Sequence, residues 1–305
     1  MKPLQASSGD LNADRRADYA EMLHASGEHG AAAELLLGAL ELAPRWAAGW
    51  FRLGEMQEAA GAPDLAAQAW TMSMRLDPAD RFGAALKLHL IGRGTAGDAP
   101  PPAFVETLFD QYADTFDDAL VGKLGYRVPE VLDQAIRAAR PGRFTLAFDL
   151  GCGTGLMGER LRPIVDRLEG MDISARMLAK ARAKGIYDNL ARADLGHFSH
   201  AGPKADLVVA ADVFIYVGRL EAVIARIAAA LAADGLFAFS IEALATAGDA
   251  GFALRPTRRY AHALGYVRGV LEANGLAVLS ADTMTIRMDR GEPVDGFAIV
   301  SRKVG

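Results

Sequence analysis

The sequence is poor in several features that would define its class on their own. It has one cysteine, Cys152, in 305 residues, which excludes an internal disulfide and indicates a reducing compartment such as the cytoplasm. No apolar run reaches the roughly 18 residues that cross a bilayer. The first residues also lack the apolar stretch of a secretory signal. We therefore expect a cytoplasmic protein that does not contact a membrane.

Blocks of like charge are absent as well. Lys and Arg total 33, Asp and Glu total 38, and the formal net charge is −5. A nucleic-acid binder usually presents a basic face, so this balance argues against a nucleic-acid partner. The length of 305 residues is enough for about two domains, and hydrophobic residues make up 51% of the chain, which is enough for buried cores.

The amino-terminal part of the chain repeats itself with a period of 34 residues between positions 13 and 80. We predict a helical repeat domain over residues 10–91, made of two repeats and a capping helix, and then a Gly/Pro-rich linker over 92–103. The second copy resembles the tetratricopeptide repeat (TPR) consensus at Trp50, Leu53, Gly54, Ala66, Trp70 and Pro78.

Two repeats are fewer than the roughly three that usually form a stable stack. We therefore expect the repeats to pack on the carboxyl-terminal domain of the same chain or of a second copy, which would make a homo-oligomer. Recruitment of a protein partner is an equally open role for them.

The most informative segment is an apolar strand that runs into a glycine-rich turn. Glycines remove the Cβ atoms that would hold a ligand away from the main chain. Such a turn lies at the carboxyl end of a parallel strand, where open α/β sheets bind their ligands. The spacing G-x-G-x-G lacks the third glycine of a dinucleotide site, because Leu156 stands in its place. The segment reads Asp149-Leu150-Gly151-Cys152-Gly153-Thr154-Gly155.

Two further acids close later strands at regular intervals. Asp172 follows Gly151 by 21 residues, and Asp194 follows Asp172 by 22. An acid about 20 residues after such a turn can accept hydrogen bonds from both ribose hydroxyls of an adenosine. An Asp after a strand is also often a helix N-cap, so each acid alone has a purely structural alternative.

Together these features resemble the class I S-adenosylmethionine (SAM)-dependent methyltransferases. The resemblance implies SAM as the cofactor, Asp172 as the ligand of the ribose and Asp194 as the ligand of the adenine amino group. No metal is expected, and we expect Cys152 to be accommodated in the turn without acting as a nucleophile. The resemblance also assigns to the cofactor site Asp149, Gly151, Cys152, Gly153, Gly155, Ile173, Met177 and Leu195.

The resemblance further implies an α/β fold: a Rossmann-like methyltransferase sheet over residues 104–305, preceded by the small all-α domain. The runs Leu276 to Met288 and Phe297 to Arg302 are joined by a short polar connection, which implies an antiparallel pair. This favours a methyltransferase sheet with an antiparallel last strand, because a dinucleotide-binding domain would continue with a crossover helix. The whole chain is similar to a bacterial group of predicted methyltransferases with TPR repeats. This resemblance does not indicate a substrate.

An aromatic-rich segment precedes the sheet, from Phe104 to Asp117. It is similar to the F-D-x-Y-A-x-x-F-D segment that folds over the cofactor in small-molecule methyltransferases, and Tyr112 would then contact the cofactor. Tyr112 and Phe116 lie four residues apart, so both are equally well explained as core aromatics on one helical face.

Candidate residues for the acceptor lie after two later strands. Arg258 and Arg259 can hold a carboxylate or phosphate, and Tyr260 can bound the pocket. His262, Tyr216 and Asp212 are candidates for a catalytic role, His262 as a base. An Arg-rich loop is often only a solvated surface, and a single His is often structural.

Three functional hypotheses follow from the sequence. The first is a SAM-dependent methyltransferase that acts on an oxygen of a small anionic molecule. The second keeps this chemistry but takes a protein or carrier-bound substrate that the repeats recruit. The third is a non-catalytic TPR adaptor, against which the intact acids Asp149, Asp172 and Asp194 argue.

Overall fold

The computed structural model describes residues 7–95, 97–117, 125–245, 250–289 and 291–305. The chain divides into two compact units, Met1–Phe104 and Val105–Gly305. Among the described residues, no helix is both long and apolar enough to cross a bilayer.

The first unit is helical, and local signals mark where its helices begin. The side chain of Asp10 caps the first helix by accepting hydrogen bonds from the N–H groups of Asn12 and Ala13 at 2.8 and 2.9 Å. Pro63 opens the fourth helix, where the missing N–H of proline would have no partner in any case. The helices are α1 (Leu11–Ala25), α2 (His29–Leu42), α3 (Ala47–Ala59), α4 (Pro63–Leu76) and α5 (Ala84–Leu90).

Small residues allow these helices to pack closely. Gly54 on α3 lies against the indole of Trp70 on α4, and a Cβ added at Gly54 would lie 2.4 Å from Trp70 Nε1. That nitrogen donates a hydrogen bond to the carbonyl of Phe51 at 3.1 Å, so the buried ring cannot move aside freely. The repeating sequence thus corresponds to two packed helix pairs, while their assignment to the TPR family stays a prediction.

From Pro102 onward, helices flank a mixed sheet. The helices are α6 (Pro102–Tyr112), α7 (Val128–Ala139), α8 (Leu156–Leu161), α9 (Ala175–Lys184), α10 (Glu221–Ala230) and α11 (Leu264–Ala273). The strands are β1 (Phe144–Leu150), β2 (Val165–Asp172), β3 (Asn189–Arg192), β4 (Ala205–Ala210), β5 (Leu231–Glu242), β6 (Phe252–Leu254), β7 (Tyr260–His262), β8 (Leu276–Asp289) and β9 (Glu292–Lys303).

Within the described part of the chain, seven strands form one sheet in the order β3-β2-β1-β4-β5-β9-β8. The strands β1 to β5 are parallel to one another, and β9 runs antiparallel between β5 and β8. The predicted Rossmann-like sheet with an antiparallel last strand is therefore confirmed. The strand order changes direction between β1 and β4, which opens a crevice at their carboxyl ends.

The inner strands are buried on both faces, as their unbroken apolar sequence predicts. On β5, Phe237 and Phe239 stack at 4.5 Å between ring centroids and face the side of the sheet that α10 and α11 cover. Leu236 and Ala238 face the opposite side, where α7 packs. This alternation fixes the positions of the strand ends that carry the candidate site.

We expect Gly54→Ala to destabilise the first unit by about 1–3 kcal/mol, because the added methyl group would overlap the buried Trp70 ring. The matched control is Gly30→Ala on α2, where a Cβ would meet nothing within 4 Å and alanine is the better helix former. Urea unfolding followed by circular dichroism measures both variants. Equal stability of the two would contradict the close packing of α3 on α4.

Candidate functional site

The turn after β1 has a backbone that suits glycine. Gly151, Gly153 and Gly155 have φ angles of +67°, +54° and +95°, in the left-handed region that strains other residues. A Cβ at Gly151 would lie 2.6 Å from a methyl group of Val213, whereas a Cβ at Gly153 would meet nothing within 4 Å. The turn is therefore packed on one side and presents bare main chain to open space at Gly153.

Asp172, the last residue of β2, ties this turn to the next one. Its Oδ2 accepts the N–H of Gly153 at 2.9 Å, and its Oδ1 accepts the N–H of Ser174 at 2.8 Å. Burial raises the pKa of Asp172, although these main-chain bonds act to lower it. Ser174, and not Asp172, is the N-cap of α9, because its hydroxyl accepts the N–H of Met177 at 3.0 Å.

Asp194 does act as a cap. Its Oδ1 accepts the N–H of Gly196 at 2.9 Å, at the start of a short 3₁₀ helix, and His197 Nδ1 lies 3.2 Å from its Oδ2. Its side chain remains 31% exposed, and Leu195 beside it is buried. A contact of Asp194 with an adenine amino group stays a prediction.

The other cofactor candidates differ in their accessibility. Met177 is fully buried, and Ile173 is half-buried with its carbonyl 3.2 Å from Arg192 Nε. Burial raises the pKa of the Cys152 thiol well above its usual value, and the nearby acids raise it further. Because a protonated thiol is a poor nucleophile, this environment favours a passive Cys152.

Tyr187, which the sequence analysis did not identify, lies against the glycine turn. Its hydroxyl donates a hydrogen bond to Asp149 Oδ2 at 2.7 Å. Its ring occupies the space of missing side chains: a Cβ at Gly158 would lie 2.2 Å from its hydroxyl and one at Gly170 would lie 2.9 Å from its ring. Asp149 is 1% exposed, and burial raises its pKa to about 7. A Cβ at Gly155 would also lie 3.2 Å from this ring, so glycines at these positions are a sequence signal of a ring at this place.

A second group of buried charges lies at the carboxyl ends of β4 and β5. Asp212 has a φ of +57°, and its N–H donates to Ser240 Oγ at 2.8 Å. Arg287 of β8 contacts Asp212 through Nη1 at 3.3 Å and donates to Glu242 through Nη2. The side chains of Arg287 and Glu242 are only 3% and 2% exposed. Neither residue was identified from the sequence.

Arg259 borders this charge group. It hydrogen-bonds to Tyr216 and lies 3.9 Å from Asp289. Burial acts to lower the pKa of Arg259, but Tyr216, Asp212 and Glu242 together raise it above its usual value. The guanidinium group therefore stays charged at the edge of the site.

The two flanking residues of the predicted anion loop have other surroundings. Arg258 has a φ of +61° and turns the chain, with its N–H donating to the carbonyl of Arg255 at 2.8 Å. Tyr260 is 1% exposed and contacts Phe252 edge to face. Their roles in acceptor binding stay predictions, and only Arg259 of the three is placed beside Asp212 by its charge interactions.

His262 is fully buried. Its Nε2 lies 2.9 and 3.0 Å from the carbonyl oxygens of Val217 and Gly218. Burial lowers the pKa of His262, so at neutral pH the ring is uncharged and its Nε2–H is the donor in these bonds. These hydrogen bonds to main-chain carbonyls give the ring a structural role, and its role as a base stays a prediction.

The aromatic-rich segment from Phe104 to Asp117 contacts α9 and the turns beside it through acidic side chains, and its predicted role in covering a cofactor stays a prediction. Phe109 of this segment meets the ring of Tyr216 edge to face, with centroids 5.3 Å apart. Tyr112 is half-buried, and its contact with a cofactor stays a prediction. The acidic contacts are Glu106 with Arg192, Asp110 with Ser174, Asp114 with Arg176 and Lys180, and Asp117 with Thr154 and Lys184.

Comparisons with known proteins agree with this geometry. Residues 148–237 match the family model described as a methyltransferase domain. The human methyltransferase-like protein 27 is 34% identical over 116 residues, which are 37% of this chain and 45% of that protein. Trans-aconitate 2-methyltransferase of Pseudomonas paraeruginosa is 32% identical over 169 residues, 49% of this chain and 60% of that protein. The chain thus spans about half the length of the curated relatives that it matches.

A solved structure supports the fold. The N-methyltransferase NodS of Bradyrhizobium japonicum, in complex with S-adenosyl-L-homocysteine (SAH), superposes with a TM-score of 0.53 at 22% identity. The alignment covers 65% of this chain and 97% of that one. Residues 148–237 therefore match a methyltransferase domain, and the sheet has the Rossmann-like fold of that solved methyltransferase.

The raised pKa of Asp149 predicts a pH-dependent stability. Because its pKa is about 7 in the folded state and 3.8 ordinarily, the folded state holds a proton that the unfolded state releases, and stability falls as pH rises from about 4 to 7. Asp149→Asn is uncharged throughout. Its stability relative to wild type should therefore rise between pH 5 and 8, on the order of 2–3 kcal/mol.

Urea unfolding at both pH values measures this difference. Tyr187→Phe is the matched control, because it keeps Asp149 but loses the bond that lowers its pKa, so the pH dependence should extend to higher pH. Parallel pH curves for wild type and Asp149→Asn would contradict the prediction.

Proposed function

We propose that this protein is a SAM-dependent methyltransferase that methylates an oxygen of a small anionic molecule. The observation that carries the proposal is the position of two sites at one edge of the sheet. The glycine turn held by Asp172 follows β1, and the charge group around Asp212 follows β4, its neighbour. Val213, next to Asp212, lies against Gly151 and so joins the two sites.

The residues of the first site fit SAM. Gly153 presents main chain without a side chain, and each Asp172 oxygen accepts one main-chain bond while keeping capacity for a ribose hydroxyl. We propose that Asp172 holds the ribose and Asp194 the adenine amino group. SAM would supply a methyl group that is already activated on sulfonium, so the protein has mainly to align the acceptor and exclude water.

The residues of the second site fit an anionic acceptor. Arg259 and Arg287 bring two guanidinium groups to the carboxyl ends of β4 and β5. Trans-aconitate, after which one of the relatives is named, is a small molecule with several carboxylates. A carboxylate oxygen carries no proton at neutral pH and needs no base, which agrees with a His262 that is buried and bonded to main-chain carbonyls.

A protein or carrier-bound acceptor is the second candidate. We propose that the helices of the first unit are TPR-like and that α1 is the surface that recruits such a partner. Leu11, Tyr19 and Met22 lie on one side of α1 and are 66%, 58% and 65% exposed. Exposed apolar residues grouped in this way often mark contact surfaces.

Methyl transfer distinguishes the two candidates. Purified protein is incubated with SAM labelled in the methyl group, together with trans-aconitate or with a cell extract fractionated by size. We expect the labelled methyl group to be transferred to the small acid, and we expect no transfer when the acid is replaced by its methyl ester. Label confined to macromolecules would favour the second candidate, and no transfer to either would contradict the proposed function.

Asp172→Ala should weaken SAH binding by roughly 2–4 kcal/mol, because it removes two charge-assisted hydrogen bonds to the ribose and releases the glycine turn. Calorimetry measures the affinity, and circular dichroism checks the fold. The control is Asp166→Ala on the same strand, whose exposed carboxylate pairs with Arg143 at the surface. Unchanged affinity in a folded Asp172→Ala protein would remove Asp172 from the cofactor site.

A further inference from the structure

A cavity of about 290 Å³ lies beside the charge group described above. Within the described chain, its lining includes residues from the start of α7 and the end of β8. Small-molecule pockets usually measure about 300–1,000 Å³, so this cavity suits a small acceptor better than a polypeptide. Its wall combines two arginines with apolar side chains: Arg127, Arg287, Val131, Met284 and Met288.

Arg287 belongs to both the cavity and the charge group. Its Nη1 contacts Asp212 and its Nη2 donates to Glu242, but its buried Nε has no hydrogen-bond partner among the described residues. A guanidinium group has five N–H donors in a fixed plane, and leaving a buried one unpaired costs free energy. The Nε–H of Arg287 is therefore an unpaired donor, closed off from solvent, on a residue that lines the cavity.

Two further arginines belong to the charge group. Arg255 Nη1 lies 3.7 Å from Glu242 Oε2, whereas Arg287 donates to the other oxygen, Oε1. Arg259 lies 3.9 Å from Asp289 and, like Arg287, has a buried Nε without a partner in the described chain. The group thus holds three guanidinium groups, of which two keep an unpaired N–H donor, and three carboxylates, of Asp212, Glu242 and the more exposed Asp289.

We propose that this cavity is the acceptor subsite and that Arg287 binds one carboxylate of the acceptor through its Nε–H. The inference rests on the proposed methyltransferase function and names its substrate class: a small di- or tricarboxylic acid. Asp212 and Glu242 are positioning residues, because they fix the plane of Arg287. Arg127, whose side chain is 70% exposed, receives a second anionic group at the rim.

The apolar wall sets the size of the acceptor. Met284, Met288 and Val131 leave room for a short hydrocarbon chain between the two arginines. A neutral ester of the same acid would fit the walls but leave Arg287 Nε without an anionic partner. The site should therefore reject it, because a site built for a charged partner discriminates strongly against one that cannot bond.

Calorimetric titration at constant ionic strength tests the proposal without using turnover. The probes are succinate, glutarate and trans-aconitate, each compared with its methyl ester, and the protein is saturated with SAH. We expect at least one acid to bind tenfold or more tightly than its ester. Arg287→Lys should weaken the binding of that acid at least tenfold, and Arg127→Gln should weaken it about threefold to tenfold. The affinity for SAH should be unchanged in both variants.

Arg137→Gln is the matched control for Arg127→Gln. Both arginines lie on or beside α7 and pair with a nearby acid, Arg127 with Glu130 at 3.2 Å and Arg137 with Asp133 at 2.8 Å, but Arg137 does not line the cavity. If Arg287→Lys fails to fold, Met288→Trp fills the cavity from its partly exposed side and leaves the charges in place. It should abolish binding of the acid.

Three results would overturn the subsite. They are acids that bind no tighter than their esters, a folded Arg287→Lys or Met288→Trp protein with wild-type affinity for the acid, and an equal effect of Arg127→Gln and Arg137→Gln. A wild-type protein that does not bind SAH would instead contradict the proposed function, and the titration without SAH would still decide the subsite.

Discussion

The hydrogen bonds that the carboxylate of Asp172 accepts are the interaction on which the candidate cofactor site of this protein depends. By accepting the N–H groups of Gly153 and Ser174 it joins the turn after β1 to the start of α9. Asp149 lies near the same turn and is bonded to Tyr187, so two buried acids lie close to one stretch of main chain. Buried polar groups usually need partners, and Asp172 has two main-chain donors, whereas Asp149 Oδ1 has none among the described residues. Hydrogen bonds therefore shape this turn, and apolar packing supports it from the side of Val213.

The charge group at Asp212 depends on the order of the last strands. Because β9 is antiparallel to both β5 and β8, the strand β8 runs in the same direction as β5. Its carboxyl end therefore reaches the edge of the sheet where β4 and β5 also end. Arg287 lies near that end and meets Asp212 and Glu242 there. The hairpin that distinguishes this fold thus supplies the buried cation of the candidate acceptor site.

Much of the fold, and the turn that forms the candidate cofactor site, could be predicted because their signals are local. The glycine turn, Asp172 and the hairpin are readable from spacing and composition within a few dozen residues. Tyr187 and Arg287 could not be found in this way, because Tyr187 acts on an acid 38 residues earlier and Arg287 on one 75 residues earlier. On a strand where apolar and polar residues alternate, the sequence predicts that an arginine faces the solvent. His262 was identifiable as a histidine near the site, but its burial was not.

The contacts of the segment from Phe104 to Asp117 differ in how they respond to salt. Asp114, Arg176 and Lys180 are 61%, 52% and 46% exposed, so their ion pairs are of the weak surface kind. Dissolved salt screens such pairs over about 8 Å at physiological ionic strength. The segment also holds Phe109 against Tyr216. Added salt should therefore loosen the two ion pairs of Asp114, whereas the hydrogen bonds of Asp110 to Ser174 and of Asp117 to Thr154 are not ion pairs and should keep the segment in place.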